Sequence, residues 1–311
     1  MYKPISPTNA DSGIMALVGD TPILPLRFEP EGRTVHAKCE FLNPSGSIKD
    51  RLARSIIMDA EERGLLRSDS IILECTSGNT GISLAMLGAA RGYRVTILMS
   101  RSASVERQHL IRGFGAELIL FEPGRGYETG IEISREMAAR DPRYFLPRQF
   151  ENPLNALDHE HETAVEMAGQ VPGPIAAFAS GYGTGGTLAG IGKGLKRRYP
   201  DCKIIAMEPA EAALLCGEMP CCHSIEGISG GFIPPLLQSA PIDGERKVSS
   251  HQALEMTHRL HREFGLMVGT SSGANVAAAL SVTRELAAGA CVVTILCDRA
   301  ERYFSTRLFQ S

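Results

Sequence analysis

Lys49 stands directly after an Asn-Pro-Ser-Gly-Ser-Ile turn and directly before an amphipathic stretch, DRLARSIIMDAEER. A lysine at the positive end of a helix is electrostatically disfavoured. The same position lowers the pKa of its amine, which favours imine chemistry. On position alone, a catalytic lysine and an exposed one both fit. Three more clusters rich in Gly, Ser and Thr sit where strand-like runs give way to helical ones: TSGNTG (76–81), GYGTGG (181–186) and GTSSG (269–273). With NPSGSIKD (43–50), four loops have a composition that exposes backbone N–H groups at a helix N-terminus, where anions bind. Four together imply small ligands that are polyanionic or carry a carboxylate.

Each loop has a competing reading. Gly181, Gly183 and Gly186 satisfy G-x-G-x-x-G, and Glu208 lies 22 residues beyond Gly186, as in a dinucleotide fingerprint. A cradle for a single phosphate and tight helix–strand packing are the alternatives. Ser271 occupies the centre of G-x-S-x-G. A hydrolase of that type needs an acid and then a histidine later in the chain. Asp298 could be the acid, but no histidine follows His261, so the triad does not close. DHEHE (158–162) places His159 and His161 two residues apart on a helix, hence on different faces. It reads as a solvated face and not as a metal site. GIGKG (190–194) lacks the Ser or Thr of a P-loop. Cys216, Cys221, Cys222 and His223 lack the second ligand pair of a zinc site and read as ordinary thiols. Cys39, Cys75, Cys202, Cys291 and Cys297 read as small core hydrophobes. No metal is expected.

The elements that must position these loops alternate in type. Strands are expected at 34–41, 71–75, 94–99, 117–121, 144–146, 174–179, 203–207, 266–268 and 291–296. Helices are expected at 50–63, 80–91, 104–113, 130–140, 157–169, 187–198, 249–263 and 273–286. Runs such as CVVTIL are apolar on both faces, as parallel strands covered on both sides must be. The alternation repeats in two blocks, so two α/β sheet domains with a cleft between them are expected, with ligands beyond the carboxyl ends of the strands. Composition agrees. The chain has 311 residues, 43% of them apolar, and a formal net charge of -3. That excludes a disordered chain and offers no basic footprint for nucleic acid. No apolar run approaches the ~18 residues of a membrane span. The start, MYKPISPTNADSG, has no apolar leader segment, so a cytoplasmic setting is expected.

Taken as a set, these residues resemble the cysteine synthase and cystathionine β-synthase family of pyridoxal-phosphate enzymes. The matching pieces are GDTP (19–22), K-x-E-x-x-NPSGSIKDR (38–51), TSGNTG, S-x-ER (104–107), GAELIL (115–120), QF-x-NP-x-N (149–155), GTGGT (183–187), GGFIP before Pro235, and GTSSGA (269–274). They occur in family order over nearly the whole chain. The resemblance implies two three-layer αβα domains with mostly parallel central sheets, like the tryptophan synthase β-subunit. It implies a smaller mobile domain over 47–156 that binds the substrate carboxylate, and a larger cofactor-binding domain over 12–46 plus 157–308. It makes Lys49 the internal-aldimine lysine and proton shuttle. Gly183, Thr184, Gly185, Gly186 and Thr187 become the phosphate cradle, which displaces the dinucleotide reading. Ser271 becomes the partner of the pyridine nitrogen and Asn79 the contact of the ring hydroxyl. Thr76, Ser77, Gly78, Thr80 and Gln149 become the substrate carboxylate clamp.

The activity implied is β-replacement on an activated serine, O-acetyl-L-serine first, with sulfide or thiosulfate, through an α-aminoacrylate, to L-cysteine or S-sulfocysteine. O-phosphoserine or serine as donor, and homocysteine or an amine as nucleophile, are the alternatives. The resemblance also implies a homodimer and a possible serine acetyltransferase partner. The segment LCDRAERYFST (296–306) resembles the B-type cysteine synthases, which puts Cys297 and Arg299 near the nucleophile entrance, although a core cysteine fits equally. Two departures stand out. ETAVEM (162–167) replaces the usual TGPEIW. Arg148 adds a positive group before Gln149, facing either a more acidic substrate or solvent.

Overall fold

The computed structural model describes residues 13–76, 78–122, 127–219, 221–228 and 230–310. These residues build two sheets. The smaller, of order β5-β4-β3-β6, joins β3 (Ile71–Cys75), β4 (Arg94–Ser100), β5 (Glu117–Phe121) and β6 (Tyr144–Phe145), all parallel. The larger, of order β1-β2-β10-β7-β8-β9, joins β1 (Ile23–Phe28), β2 (Arg33–Cys39), β7 (Ile175–Gly181), β8 (Lys203–Pro209), β9 (Gly244–Val248) and β10 (Cys291–Leu296). Its edge strand β1 is antiparallel to β2, and the other pairs are parallel.

Helices cover both faces of each sheet, giving two αβα domains. In the smaller, Ile72 and Ile97 pack with Ile57 of α1 (Lys49–Glu62) and Leu84 of α2 (Asn79–Arg91), in a cluster that also takes in α3 (Val105–Gly113). Leu73 and Leu98 pack the other way, against Ile131 and Met137 of α4 (Tyr127–Arg140). In the larger, α6 (Ala164–Gln170) and α7 (Gly186–Arg198) cover one face, with α5 (Leu154–Asp158) packed between α7 and α1, and α8 (Ser250–Phe264) and α9 (Thr270–Thr283) cover the other. β10 shows why its sequence is apolar throughout. Val292 and Leu296 join the cluster of Leu260 and Val276, while Val293 and Ile295 join that of Leu188 and Ile191. Among the described residues no helix is long and apolar enough to cross a membrane.

One polar lattice ties α1 to the larger sheet. The Arg51 guanidinium, fully buried, donates to both carboxylate oxygens of Glu40 at 2.8 Å and to those of Glu166 at 2.8 and 2.7 Å. Glu166 also pairs with Lys38 at 2.6 Å, and Thr21 donates to Glu40 at 2.7 Å. One turn on, Arg54 reaches Asp158, Glu162 and the carbonyl of Val18. The run at 162–167 therefore feeds this lattice: Glu162 and Glu166 are two of its anions. Burial alone would push the Glu40 carboxyl up. Arg51, aided by Thr21 and Lys38, overcomes that and holds it at about 2.

Four expectations need correction. β1 and β9 were not legible, because edge strands tolerate Pro25 and the charged run GERKV. Leu266–Val268 is not a strand: Val268 makes only an isolated bridge to Arg299. The helix expected at 157–169 starts at Leu154 and is interrupted by a π turn, His159–Thr163. DHEHE is not a solvated face, since Asp158, His159 and Glu160 are buried. That run packs on α7 at Gly190 and Gly194, where a Cβ would meet Ala156 or Ala164, so the glycines of GIGKG allow helix contact.

Arg51→Met is expected to cost about 3–5 kcal/mol in urea unfolding, because it leaves buried carboxylates without their partner. Glu40 sits below its ordinary 4.5, so its contribution is present above that pH and is lost as pH falls toward 2. Glu40→Gln should remove that acid limb from the stability curve.

Candidate active site

The loops singled out in the sequence converge on one cleft. Lys49 lines it from the N-terminus of α1, Thr76, Asn79 and Thr80 from the β3–α2 junction, and Gln149 from the segment after β6. Gly183, Thr184 and Thr187 line it from the β7–α7 junction, Ser271 from the first turn of α9, and Cys297 from just beyond β10. These are carboxyl ends of parallel strands and helix N-termini from both sheets. Gly185 and Gly186 belong to the same loop but not to the lining, as does Gly78 in its own loop. Ser77 lies outside the described residues.

Lys49 is half-buried, and among the described residues its amine has no hydrogen-bond or ion-pair partner. Burial lowers its pKa, and Cys297 and Asp298 oppose that without cancelling it. The turn that presents it is held from two sides. Asp50 accepts from the Ser45 N–H at 2.7 Å and from the Ser83 hydroxyl at 2.5 Å. The segment after β10 grips the turn's backbone. Ile48 N–H donates to the Cys297 carbonyl at 2.9 Å, and Arg299 N–H donates to Gly46 at 3.1 Å. Arg302 donates to the carbonyls of Ser45 and Gly46 at 2.9 and 3.0 Å.

The same segment orients Asn79. Its amide donates to Asp298 at 2.6 Å and accepts from Arg302 at 2.5 Å, so both ends are engaged. Asp298 and Arg302 were missed as site residues, since no spacing connects them to a loop some two hundred residues earlier. Arg299 does not line the cleft; its guanidinium donates to the Phe41 carbonyl at 3.0 Å. Cys297 does line it, next to Ser271. Burial and Asp298 push its thiol up to about 12, so it stays protonated. Arg148 is exposed and away from the cleft, with φ 55°.

A second missed residue links the two ligand loops. Asn155 donates to the Gln149 carbonyl and to the Thr184 hydroxyl, both at 2.8 Å. Gln149 in turn donates to the Cys75 carbonyl at 2.9 Å and accepts from Thr80 at 2.6 Å. The final Asn of QF-x-NP-x-N was its only sequence signal. Thr187 touches His159 at 3.2 Å. Burial, then Arg51, lower that imidazole to about 3, so it is neutral.

The donor set fits pyridoxal phosphate. Gly185 caps α7 at φ 86°, and at Gly186 a Cβ would run into the Asn155 amide. The loop is thus bare backbone, and the first-turn N–H groups of α7 have no partner within the helix. An anion fits there, between the hydroxyls of Thr184 and Thr187. The same cleft offers a free amine for an aldehyde and a hydroxyl, Ser271, for a ring nitrogen. Comparison with known proteins agrees: the profile described as "Pyridoxal-phosphate dependent enzyme" matches residues 14–298.

The chain belongs to this pyridoxal-phosphate-dependent enzyme family. It is 41% identical over 299 residues to a cysteine synthase of Staphylococcus aureus, covering 95% of this chain and 96% of that one. It is 41% identical over 300 residues to the O-ureido-L-serine synthase of Streptomyces lavendulae, covering 96% and 92%. A crystal structure of an O-ureido-L-serine synthase superposes with a TM-score of 0.92, covering 96% of this chain and 95% of that one. An O-acetylserine-dependent cystathionine β-synthase from Helicobacter pylori superposes with a TM-score of 0.90 at 36% identity, covering 95% and 98%. The pyridoxal-phosphate enzyme described here is a transferase of the cysteine synthase and cystathionine β-synthase type.

Gly186→Ala should weaken pyridoxal phosphate binding by roughly tenfold or more in an absorbance titration of apoenzyme, by displacing Asn155 and the loop it holds. Unchanged affinity would remove the cradle from residues 183–187.

Proposed function

We propose that the enzyme joins sulfide or thiosulfate to the alanyl part of an activated L-serine, with O-acetyl-L-serine as donor, to give L-cysteine or S-sulfocysteine. The observation that carries the reading is the unpartnered Lys49 amine, set in one cleft with a bare phosphate-type loop and a hydroxyl-rich carboxylate-type loop. Bound pyridoxal phosphate supplies an electron sink for carbanion character at Cα. Lys49 would hold the cofactor until the substrate's own amino group takes its place and frees the lysine amine. Its amine, kept basic but less protonated by burial, takes the Cα proton as acetate leaves Cβ. It returns that proton after the sulfur has added, so one group serves as base and then acid.

Residues 183–187 hold the phosphate and Asn79 the ring hydroxyl. Ser271, a neutral partner for the ring nitrogen, leaves the ring unprotonated, which suits β-elimination over deeper carbanion chemistry. Thr76, Ser77, Gly78, Thr80 and Gln149 hold the substrate carboxylate, aided by the N-terminus of α2. Residues 47–156 form the smaller, mobile domain in this reading, and its closure shields the reacting amino acid from water. A cytoplasmic homodimer, and a serine acetyltransferase tail entering the cleft, belong to the same reading through the family resemblance. A second reading keeps the site and changes the nucleophile to homocysteine or an amine. Its support is the likeness to the O-ureido-L-serine synthase, as high in identity as that to the cysteine synthase, and to the H. pylori enzyme.

Borohydride reduction of the holoenzyme should label Lys49, and Lys49→Ala should abolish both labelling and turnover. A label elsewhere defeats the assignment. Offering O-acetylserine, O-phosphoserine and serine, each with sulfide, thiosulfate and homocysteine, then ranks the pairs. The highest kcat/KM is expected for O-acetylserine with an inorganic sulfur nucleophile; a preference for serine with homocysteine decides for the second reading.

A further inference from the structure

Glu74 is a carboxylate in a strand that is otherwise Ile-Ile-Leu-Cys, and it is buried. Such a group is costly in a strand covered on both faces unless its oxygens accept hydrogen bonds. Here they accept from backbone. One oxygen takes the Cys75 N–H at 3.0 Å and the other the Gln149 N–H at 3.1 Å. Arg148 is one of the few non-glycine residues in the left-handed region, at φ 55°. Glu74 thus holds the N–H that directly follows this strained turn residue. The residue that this turn delivers to the cleft is Gln149. Glu74 itself does not line the cleft.

We propose that Glu74 is a positioning residue for substrate binding: its carboxylate fixes the Arg148–Gln149 turn and so the Gln149 amide in the carboxylate-binding loop. The inference rests on the role proposed above for Gln149. The hydrogen bonds that run from Gln149 to Thr80, and through Asn155 to Thr184, carry the same placement to both ligand loops.

The charged groups around Glu74 come from two elements. Arg135 of α4, and Arg148 and Glu151 of the turn, line a small cavity with it, and Arg135 pairs with Glu151 at 2.8 Å. β4 places Ile97 beside it, and the neighbouring Cys75 thiol is pushed up to about 12 by burial and by Glu74. Burial pushes Glu74 up to about 7, against the pull of the Gln149 and Cys75 N–H groups and with a further push from Glu151. The ionised form is the stronger acceptor. Substrate binding should therefore tighten above neutrality and slacken below it. Stability runs the other way. A carboxyl raised above its ordinary 4.5 contributes fully below that pH and loses the contribution as pH rises through about 7. A merely structural Glu74 would move binding and stability together.

The test measures kcat and KM for O-acetyl-L-serine with sulfide, from about pH 6 to 8.5, in holoenzyme, Glu74→Gln and Gln149→Ala, beside urea unfolding of each. Glu74→Gln is expected to raise KM about fivefold at the alkaline end with kcat little changed. It should also cancel the extra rise in KM that wild type shows toward low pH. A Glu74→Gln profile that tracks wild type overturns the proposal. If Gln149→Ala leaves KM unchanged, the carboxylate loop has been misread and both inferences fall. A raised KM in Gln149→Ala with an unaltered Glu74→Gln overturns the positioning role alone. Should Glu74→Gln not fold, the KM ratio of Gln149→Ala to wild type decides. A ratio that shrinks as pH falls supports the proposal, and a pH-independent ratio overturns it.

Discussion

Arg51, buried without access to water between Glu40 and Glu166, is the constraint on which the molecule's chemistry rests. α1 begins with Lys49 and packs its apolar face into the smaller sheet. Its first turn, however, is locked by ion pairs into residues of the larger domain. Buried pairs of this kind are weak sources of net stability but heavily penalise any arrangement that separates them. The helix that carries the Lys49 amine is therefore seated at the edge of the cleft. GDTP, the Lys38–Glu40 pair, the NPSGSIKDR run and the acidic run at 162–167 are four views of that one lattice.

The cleft is assembled from its back. Segment 297–303 runs between the Lys49 turn and the start of α9, bonding to the first and bridging to Val268 before the second. It also holds both ends of the Asn79 amide. Asn155 performs the corresponding task between the Gln149 segment and the loop at residues 183–187. Groups that face ligand are thus held by groups that do not, and the supports come from chain segments remote from the loops they hold. The glycines of residues 183–187 complete the picture, because a bare loop keeps its shape only when something behind it fills the space.

Periodicity and turn chemistry made much of this readable from the residues. CVVTIL announced a strand covered on both faces, and it is one. The βα junctions announced helix N-termini, and their loops do meet in one cleft. The failures have physical causes. β1 and β9 are edge strands, where Pro25 and alternating charges are tolerated because one side of the ladder has no partner. DHEHE looked like a solvated face because its partners, Ser55, Arg54 and Thr187, are distant in the chain. His159 and His161 do lie in different surroundings, as their spacing requires, and what the spacing did not show is that His159 faces protein.

Local interactions are what a sequence encodes directly. The alternation of strands and helices, the bare phosphate-type loop and the lysine at a helix start all arise within a few residues of chain, and all were legible. Which oxygen accepts from which nitrogen across the cleft is a matter of long-range docking. Only the tertiary structure decided that Asp298 and Arg302 hold Asn79, that Asn155 joins two loops, and that Glu74 supports the turn before Gln149. These contacts depend on the relative placement of two sheets, and no spacing along the chain records it.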